Sequence, residues 1–468
     1  MRTLITNGTV VTATGAHEQD VLLDGQTIAA VFTRGGAEAA GVAADEVVDA
    51  TGRYVLPGGI DAHTHMEMPF GGTHSADTFE TGTIAAAHGG TTTIIDFAIQ
   101  AAGQQVRPGL ERWFEKAEGT CAIDYSFHMI LGGVDDAALK EMDGLVAEGI
   151  TSFKLFMAYP GVFYSDDGQI LRAMQQAASN GALICMHAEN GIAIDVLAEQ
   201  AAARGDTDPI NHGLTRPSRL EGEATHRAIQ LALVAGAPLY IVHLSAQEAL
   251  EHVAVARGEG HNVFAETCPQ YLYLTLEDHL GKPGFEGAAY VASPPLRTRD
   301  EPHRENLWRG LRTNDLSMVA TDHCPFCMKD QKELGREDFR AIPNGIGGIE
   351  HRMDLLHQGV VDGQLSLARW VETCCTTPAR MFGLYPQKGV IAPGSDADVV
   401  IYDPTARHTL SVDNHHMALD HSAWEGFDIT GAVESVYARG RKVIDHGSFV
   451  GRAGHGRFLK RGLSQYLQ

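Results

Sequence analysis

Cysteine is scarce in this sequence, seven residues in 468, and an odd, sparse set does not make a disulfide framework; it suits a reducing cytoplasm. Only Cys324 and Cys327 stand as CxxC. With no second pair at finger-like spacing, they read as ordinary thiols rather than a structural zinc site. Long apolar runs are missing as well, and nothing approaches the ~18 residues of a membrane span. The opening MRTLITNGTVVT alternates apolar and polar positions and turns at Asn7-Gly8, so it lacks the continuous apolar segment of a secretory signal. Positive charge is short: 36 basic against 59 acidic residues leave a formal charge of -23, which repels phosphate backbones and anionic lipid. The expectation is a cytoplasmic protein with neither nucleic acid nor membrane as partner. No low-complexity tract interrupts a composition that is 44% apolar and 20% charged, so the chain is expected to fold throughout.

What is present is a rhythm. Short apolar runs alternate with helical patterns from about residue 55, the texture of βα units around a parallel sheet. Candidate strands are 55–65, 91–99, 124–131, 151–159, 183–189, 239–245, 262–268 and 317–324. Amphipathic stretches at 135–149, 168–181 and 221–236 lie between them, each ending at a glycine suited to a C-cap. Eight such strands argue for a (β/α)8 TIM barrel over an open doubly wound sheet. The competing dinucleotide fingerprint is only GIGGIE, 345–350, which lacks the last glycine of GxGxxG and follows no clear strand. Both chain ends instead alternate with period two, as in LITNGTVVTA and ADVVIYD. They predict a small β-sandwich domain built from 1–54 and 386–449, with the barrel at 55–385 and a basic tail at 450–468.

Active sites of such barrels lie at the C-terminal ends of the strands. There this sequence is polar: His63 and His65 on strand 1, Lys154 on strand 4, His187 on strand 5, His243 on strand 6 and Asp322 on strand 8. A single strand-end histidine is ordinarily a hydrogen-bonded core or surface residue, but this set would ring one mouth. His-x-His puts two imidazoles on one face, and imidazole with carboxylate, free of cysteine, suits an open catalytic site for zinc or its neighbours. Lys154 sits in TSFKLFMAY among Phe153, Leu155, Phe156 and Met157, where a buried charge is costly. Desolvation and a nearby cation favour its neutral amine, which can add CO2 to give a carbamate able to bridge two metal ions. The alternative is a lysine snorkelling its head to the barrel mouth.

The ordered set GGIDAHTHMEMPFGGTHSADTFETGT, SFKLFMAY, MHAENG, VHLSA, AETCPQYL, SPPLR, TDHCPF, IPNGIGGIE and VGRAGHGRFLKR resembles the dihydropyrimidinase and hydantoinase family of cyclic amidohydrolases over nearly the whole chain. The resemblance implies two divalent ions per subunit, zinc first among them. One would be held by His63, His65, a carbamylated Lys154 (N6-carboxylysine) and Asp322, the other by the shared carbamate, His187 and His243, with a hydroxide between them. Asp322 would be the general base, or a metal ligand alone. Tyr159 would donate to the developing oxyanion, Ser293 and Asn344 would hold the ring's imide through main-chain groups, and Met66, Phe156 and Phe163 would meet ring substituents. Expected is hydrolytic ring opening of dihydropyrimidines or 5-substituted hydantoins to N-carbamoyl amino acids. The tail, with Arg452, Arg457, Lys460 and Arg461, is either a solvated face, a match for the acidic bulk of its own chain, or, as the resemblance implies, an oligomerisation segment of a homotetramer or homodimer.

Two positions depart from common family forms: Ala292 before SPPLR, and FCMKDQKELG around Met328. Both bear on substrate preference. Dihydroorotases commonly have an arginine where Glu67 stands here, and allantoinases tend to continue HxH into Asn-Glu-Pro, absent from HTHMEMP. Mononuclear deaminases lack the strand-4 lysine. Scaffold relatives of this fold, the collapsin response mediator proteins, have lost metal ligands, whereas every ligand position is filled here.

Overall fold

The computed structural model describes residues 1–467. All eight expected barrel strands form: β1 (Gly59–Thr64), β2 (Thr91–Ile99), β3 (Asp124–Ile130), β4 (Ser152–Phe156), β5 (Leu183–His187), β6 (Leu239–Ile241), β7 (Val263–Thr267) and β8 (Met318–Val319). They pair in parallel, each with its successor. A bridge between Thr64 and His323 closes the ring. Strands β4 and β5 are buried at every position, as expected where one face meets the barrel interior and the other a layer of helices.

Local sequence accounts for the connecting helices. Asp135 caps Asp136–Ala147 by accepting from Ala138 N. Asp166 and Gln169 form a reciprocal capping box on Asp167–Asn180, which satisfies two otherwise orphaned amides. Gly181 and Gly236 end their helices in the left-handed region at φ 77° and 69°, where a side chain would be strained.

The first expected strand divides. Tyr54–Pro57 pairs with Val399–Thr409 in a separate mixed sheet, and only Gly59–Thr64 enters the barrel. That nine-stranded sheet draws Arg2–Thr12, Gly15–Asp24 and Thr27–Thr33 from one chain end and Val399–Thr409, Asp428–Ala438 and Arg441–Asp445 from the other. Gly58 marks the break: a Cβ there would fall 2.0 Å from Thr92 Oγ1.

Lys388 fastens this sheet to the barrel. Its buried Nζ lies 2.7 Å from Asp124 and from Asp398, and 3.0 Å from Asp396. Burial alone would lower its pKa, but the three carboxylates hold it above the usual lysine value. Lys388→Met is expected to cost about 3–5 kcal/mol of unfolding free energy, because it strands buried carboxylates. Burial already raises the Asp398 carboxyl. Without Lys388 the folded state binds protons that the unfolded state does not, so the deficit should shrink as pH falls towards 5. Denaturant titrations at two pH values measure both effects.

The tail runs across the floor of its own barrel. Tyr125 N donates to Arg457 O at 3.1 Å and Leu459 N to Tyr125 O at 2.7 Å. Arg461, buried, donates to Ser126 Oγ at 3.0 Å and Ser152 Oγ at 2.9 Å. Part of this basic segment is therefore neither a solvated face nor free for another subunit. Gln468, the last residue of the expected tail, lies outside the described residues. Among the described residues no helix is long and apolar enough to cross a membrane.

Candidate active site

Two backbone devices turn the polar side chains inward. Ile60 and Ala62 of β1 face the barrel interior, packed with Leu183 and Tyr240. Strict alternation would send His63 and His65 outward. Between Asp61 and Thr64, however, β1 advances three residues while β2 advances two, from Ile94 to Asp96. This bulge reverses the facing of the residues beyond it. His63 and His65 point inward, ring centroids 5.1 Å apart, while Thr64 turns out and donates to Asp96 at 2.7 Å. The second device is left-handed backbone at Tyr159 (φ 60°), His243 (φ 40°) and Asp322 (φ 51°), a conformation costing about 1–3 kcal/mol each for non-glycine residues. At His243 it returns the side chain to the interior although its neighbour Val242 already faces there. Lys154 and His187 need neither device. Phe153 and Leu155 pack among the helices, so Lys154 between them faces in.

The six side chains converge. His63 Nε2 and His65 Nε2 each lie 3.1 Å from Asp322 Oδ1, and Lys154 Nζ lies 3.0 Å from His63 Nε2. His187 and His243 stand edge to face at 4.5 Å, and His243 is 5.3 Å from His63. Burial pulls the Lys154 ammonium below the usual lysine range. It likewise holds His63, His65 and His243 below the usual imidazole value, in the neutral state that ligation requires.

These residues fit a divalent cation. Ligand atoms about 2.0–2.1 Å from a tetrahedral zinc stand about 3.3 Å apart; His63 and His65 each lie near that spacing from Asp322, at 3.1 Å, and all three ligand atoms fall within 4.8 Å of one another. Among the described residues, His243 Nδ1 is buried with no hydrogen-bond partner. His187 commits Nε2 to Glu189 at 2.8 Å, which leaves Nδ1 free to ligate.

One functional residue escaped the sequence reading. Glu266 on β7 accepts from His63 Nδ1, from Tyr240 OH at 2.6 Å and from His243 N at 3.2 Å. Burial pushes its carboxyl up to about 8, opposed by the Tyr240 hydroxyl, the His243 amide and Lys154; a cation on the Nε2 side of His63 would favour the carboxylate further. Its contact keeps the His63 proton on Nδ1 and the Nε2 lone pair available. The signal was present, since Glu266 is the only charged residue in NVFAETC, the same anomaly that exposed Lys154. Glu266→Gln is expected to weaken metal affinity about 10–100-fold, measured by competition with a chelator.

Around this centre the cavity is lined by Tyr159, Ser293 and Asn344 on one side and by Phe156, Phe163, Met68 and Phe70 on another. Asn344 Nδ2 donates to Tyr159 OH at 3.3 Å and to Ser293 Oγ at 3.1 Å. Phe156 and Phe163 stack at 5.0 Å. Met66 is a correction. It shares the outward facing of Thr64, is fully buried, and packs where a Gly82 Cβ would lie 2.3 Å from its sulfur. Met68 and Phe70 line the cavity instead.

The sequence profile of the amidohydrolase family matches residues 54–443. This chain belongs to the amidohydrolase family. Among relatives within it, a D-hydantoinase of Streptomyces coelicolor is 62% identical over 100% of this chain and 99% of its own length. A D-hydantoinase of Geobacillus stearothermophilus is 50% identical, covering 98% and 97%. The crystal structure of dihydropyrimidinase from Brevibacillus agri superposes with a TM-score of 0.96 at 49% identity, covering 99% of each chain.

Proposed function

We propose that this amidohydrolase opens cyclic ureide and imide rings, 5-substituted hydantoins and dihydropyrimidines, to N-carbamoyl amino acids. The convergence of Lys154, His65, His187, His243 and Asp322 on one cavity, with His63 buried against Lys154 and Asp322, beside the Tyr159–Asn344–Ser293 wall carries the reading. Lys154, its amine favoured by burial, adds CO2 through the nitrogen lone pair and loses one proton, giving a carbamate. Two divalent ions held by that carbamate, His63, His65, His187, His243 and Asp322, zinc in the first instance, would supply an acidified water and polarise the carbonyl.

The chain's own residues do the rest. Ser293 and Asn344 hold the imide edge. Burial raises the Tyr159 hydroxyl to about 12, so it stays protonated and donates to the carbonyl oxygen as charge develops there. Asp322 takes the proton of the attacking water and passes it to the ring nitrogen as the C–N bond breaks; water's oxygen stays on the carbonyl carbon. Phe156, Phe163, Met68 and Phe70 exclude bulk water and meet the ring substituent. A vestibule of about 630 Å³ shares Phe70, Tyr159 and Asn344 with the cavity, room for a group as large as phenyl. The names of the relatives favour D-selectivity, and a homotetramer, or a homodimer, is the proposed assembly, to be read from mass in solution.

Initial rates on dihydrouracil, 5-phenylhydantoin and allantoin, with one metal-assayed preparation, test the reading. Opening of the first two, with D-N-carbamoyl product from the second, is expected. Turnover of allantoin alone would overturn it, and no bound metal together with no ring opening would return the scaffold alternative.

A further inference from the structure

Lys332 lies in FCMKDQKELG, outside every motif that supplies the proposed site, yet its side chain is 0% exposed. Among the described residues no carboxylate pairs with it, and burial pulls its ammonium down to about 7. Its Nζ instead donates to three main-chain carbonyls: Val291 O at 3.0 Å, Pro343 O at 2.7 Å and Gly345 O at 2.9 Å. The three acceptors match the three N–H groups of an ammonium. Their positions are specific. Val291 stands two residues before Ser293, and Pro343 and Gly345 flank Asn344. Gly345 N also donates to Val291 O at 2.9 Å, so the two segments are tied directly and through the lysine. Neither segment belongs to a helix or a strand, so no ladder supplies donors for these carbonyls, and buried carbonyls need them.

We propose that Lys332 is a positioning residue for ring binding: its ammonium knots the main chain on both sides of the imide wall and thereby sets the spacing of Ser293 and Asn344. The inference rests on the proposed reading of that wall as the ring's binding surface. Lys332 touches neither the ring nor the metal ligands. Its loss should therefore weaken binding of ground state and transition state alike, which raises KM and leaves kcat nearly unchanged.

The test is Lys332→Met in the full-length protein, with dihydrouracil as substrate. Expected are metal content equal to wild type, kcat within about threefold, and KM raised at least about tenfold. Amide hydrogen exchange should quicken at 291–296 and 343–347 and stay unchanged in the barrel strands. A folded, metal-loaded variant with unaltered KM and unaltered exchange overturns the proposal. If Lys332→Met does not fold, Lys332→Arg, which keeps charge and donors at a different reach, decides it: raised KM supports the role, unchanged KM removes it. Wild-type turnover is measured first, and its absence would sink the reading of the site while exchange still decides whether Lys332 holds the wall.

Discussion

Lys154→Ala is expected to leave a folded barrel that binds no metal pair and opens no ring. Lys154 stands among side chains that can share cations, and Ala leaves His63, His65 and Asp322 without the group proposed to join the two ions. Metal assistance supplies several kcal/mol of transition-state stabilisation, and each ~1.4 kcal/mol is tenfold in rate, so turnover should fall by at least about 10³. The fold should survive, because among the described residues Lys154 forms no ion pair with a carboxylate and its side-chain hydrogen-bond partner is His63. Metal analysis with initial rates on dihydrouracil checks both halves. A metal-loaded, active alanine variant would remove the carbamate from the mechanism, as would electron density for an unmodified lysine in loaded, active crystals.

Asp322→Asn carries the second large effect and separates chemistry from architecture. Asp322 holds φ at 51°, a backbone conformation that asparagine adopts far more readily than most residues, so the loop after β8 keeps its course. The amide fills the same space but can neither take a proton from water nor return it to the leaving nitrogen, a role that contributes about 10²- to 10⁴-fold. The expected outcome is kcat lowered by about 10³ or more with melting temperature unchanged, read by steady-state kinetics and thermal denaturation. Activity within tenfold of wild type would assign Asp322 to ligation alone.

Much of this site was legible because a polar group in an apolar strand is conspicuous: Lys154, His187 and the His-x-His pair all announced themselves against parallel-strand runs buried on both faces. Strand count and helix caps were legible for a similar reason, since both depend on residues close in sequence. Met66 is expected at the ring only through the family resemblance, whereas alternation from His63 and His65 puts it on the opposite face, where the structure has it. Glu266 was overlooked although it broke the pattern as Lys154 did, and Lys332 carried no strand context to break.

Sequence by itself determined the kinds of groups available, the eight strands that carry them and the end of each strand where they fall. Only the tertiary structure decided which way they face: the extra residue between Asp61 and Thr64, the left-handed turns at His243 and Asp322, and the pairing of Glu266 with His63 and of Lys332 with three distant carbonyls. The reason is physical. Side-chain periodicity is a local property of the chain, whereas a bulge, a strained dihedral or a contact across two hundred residues is held in place only by the packing of everything around it.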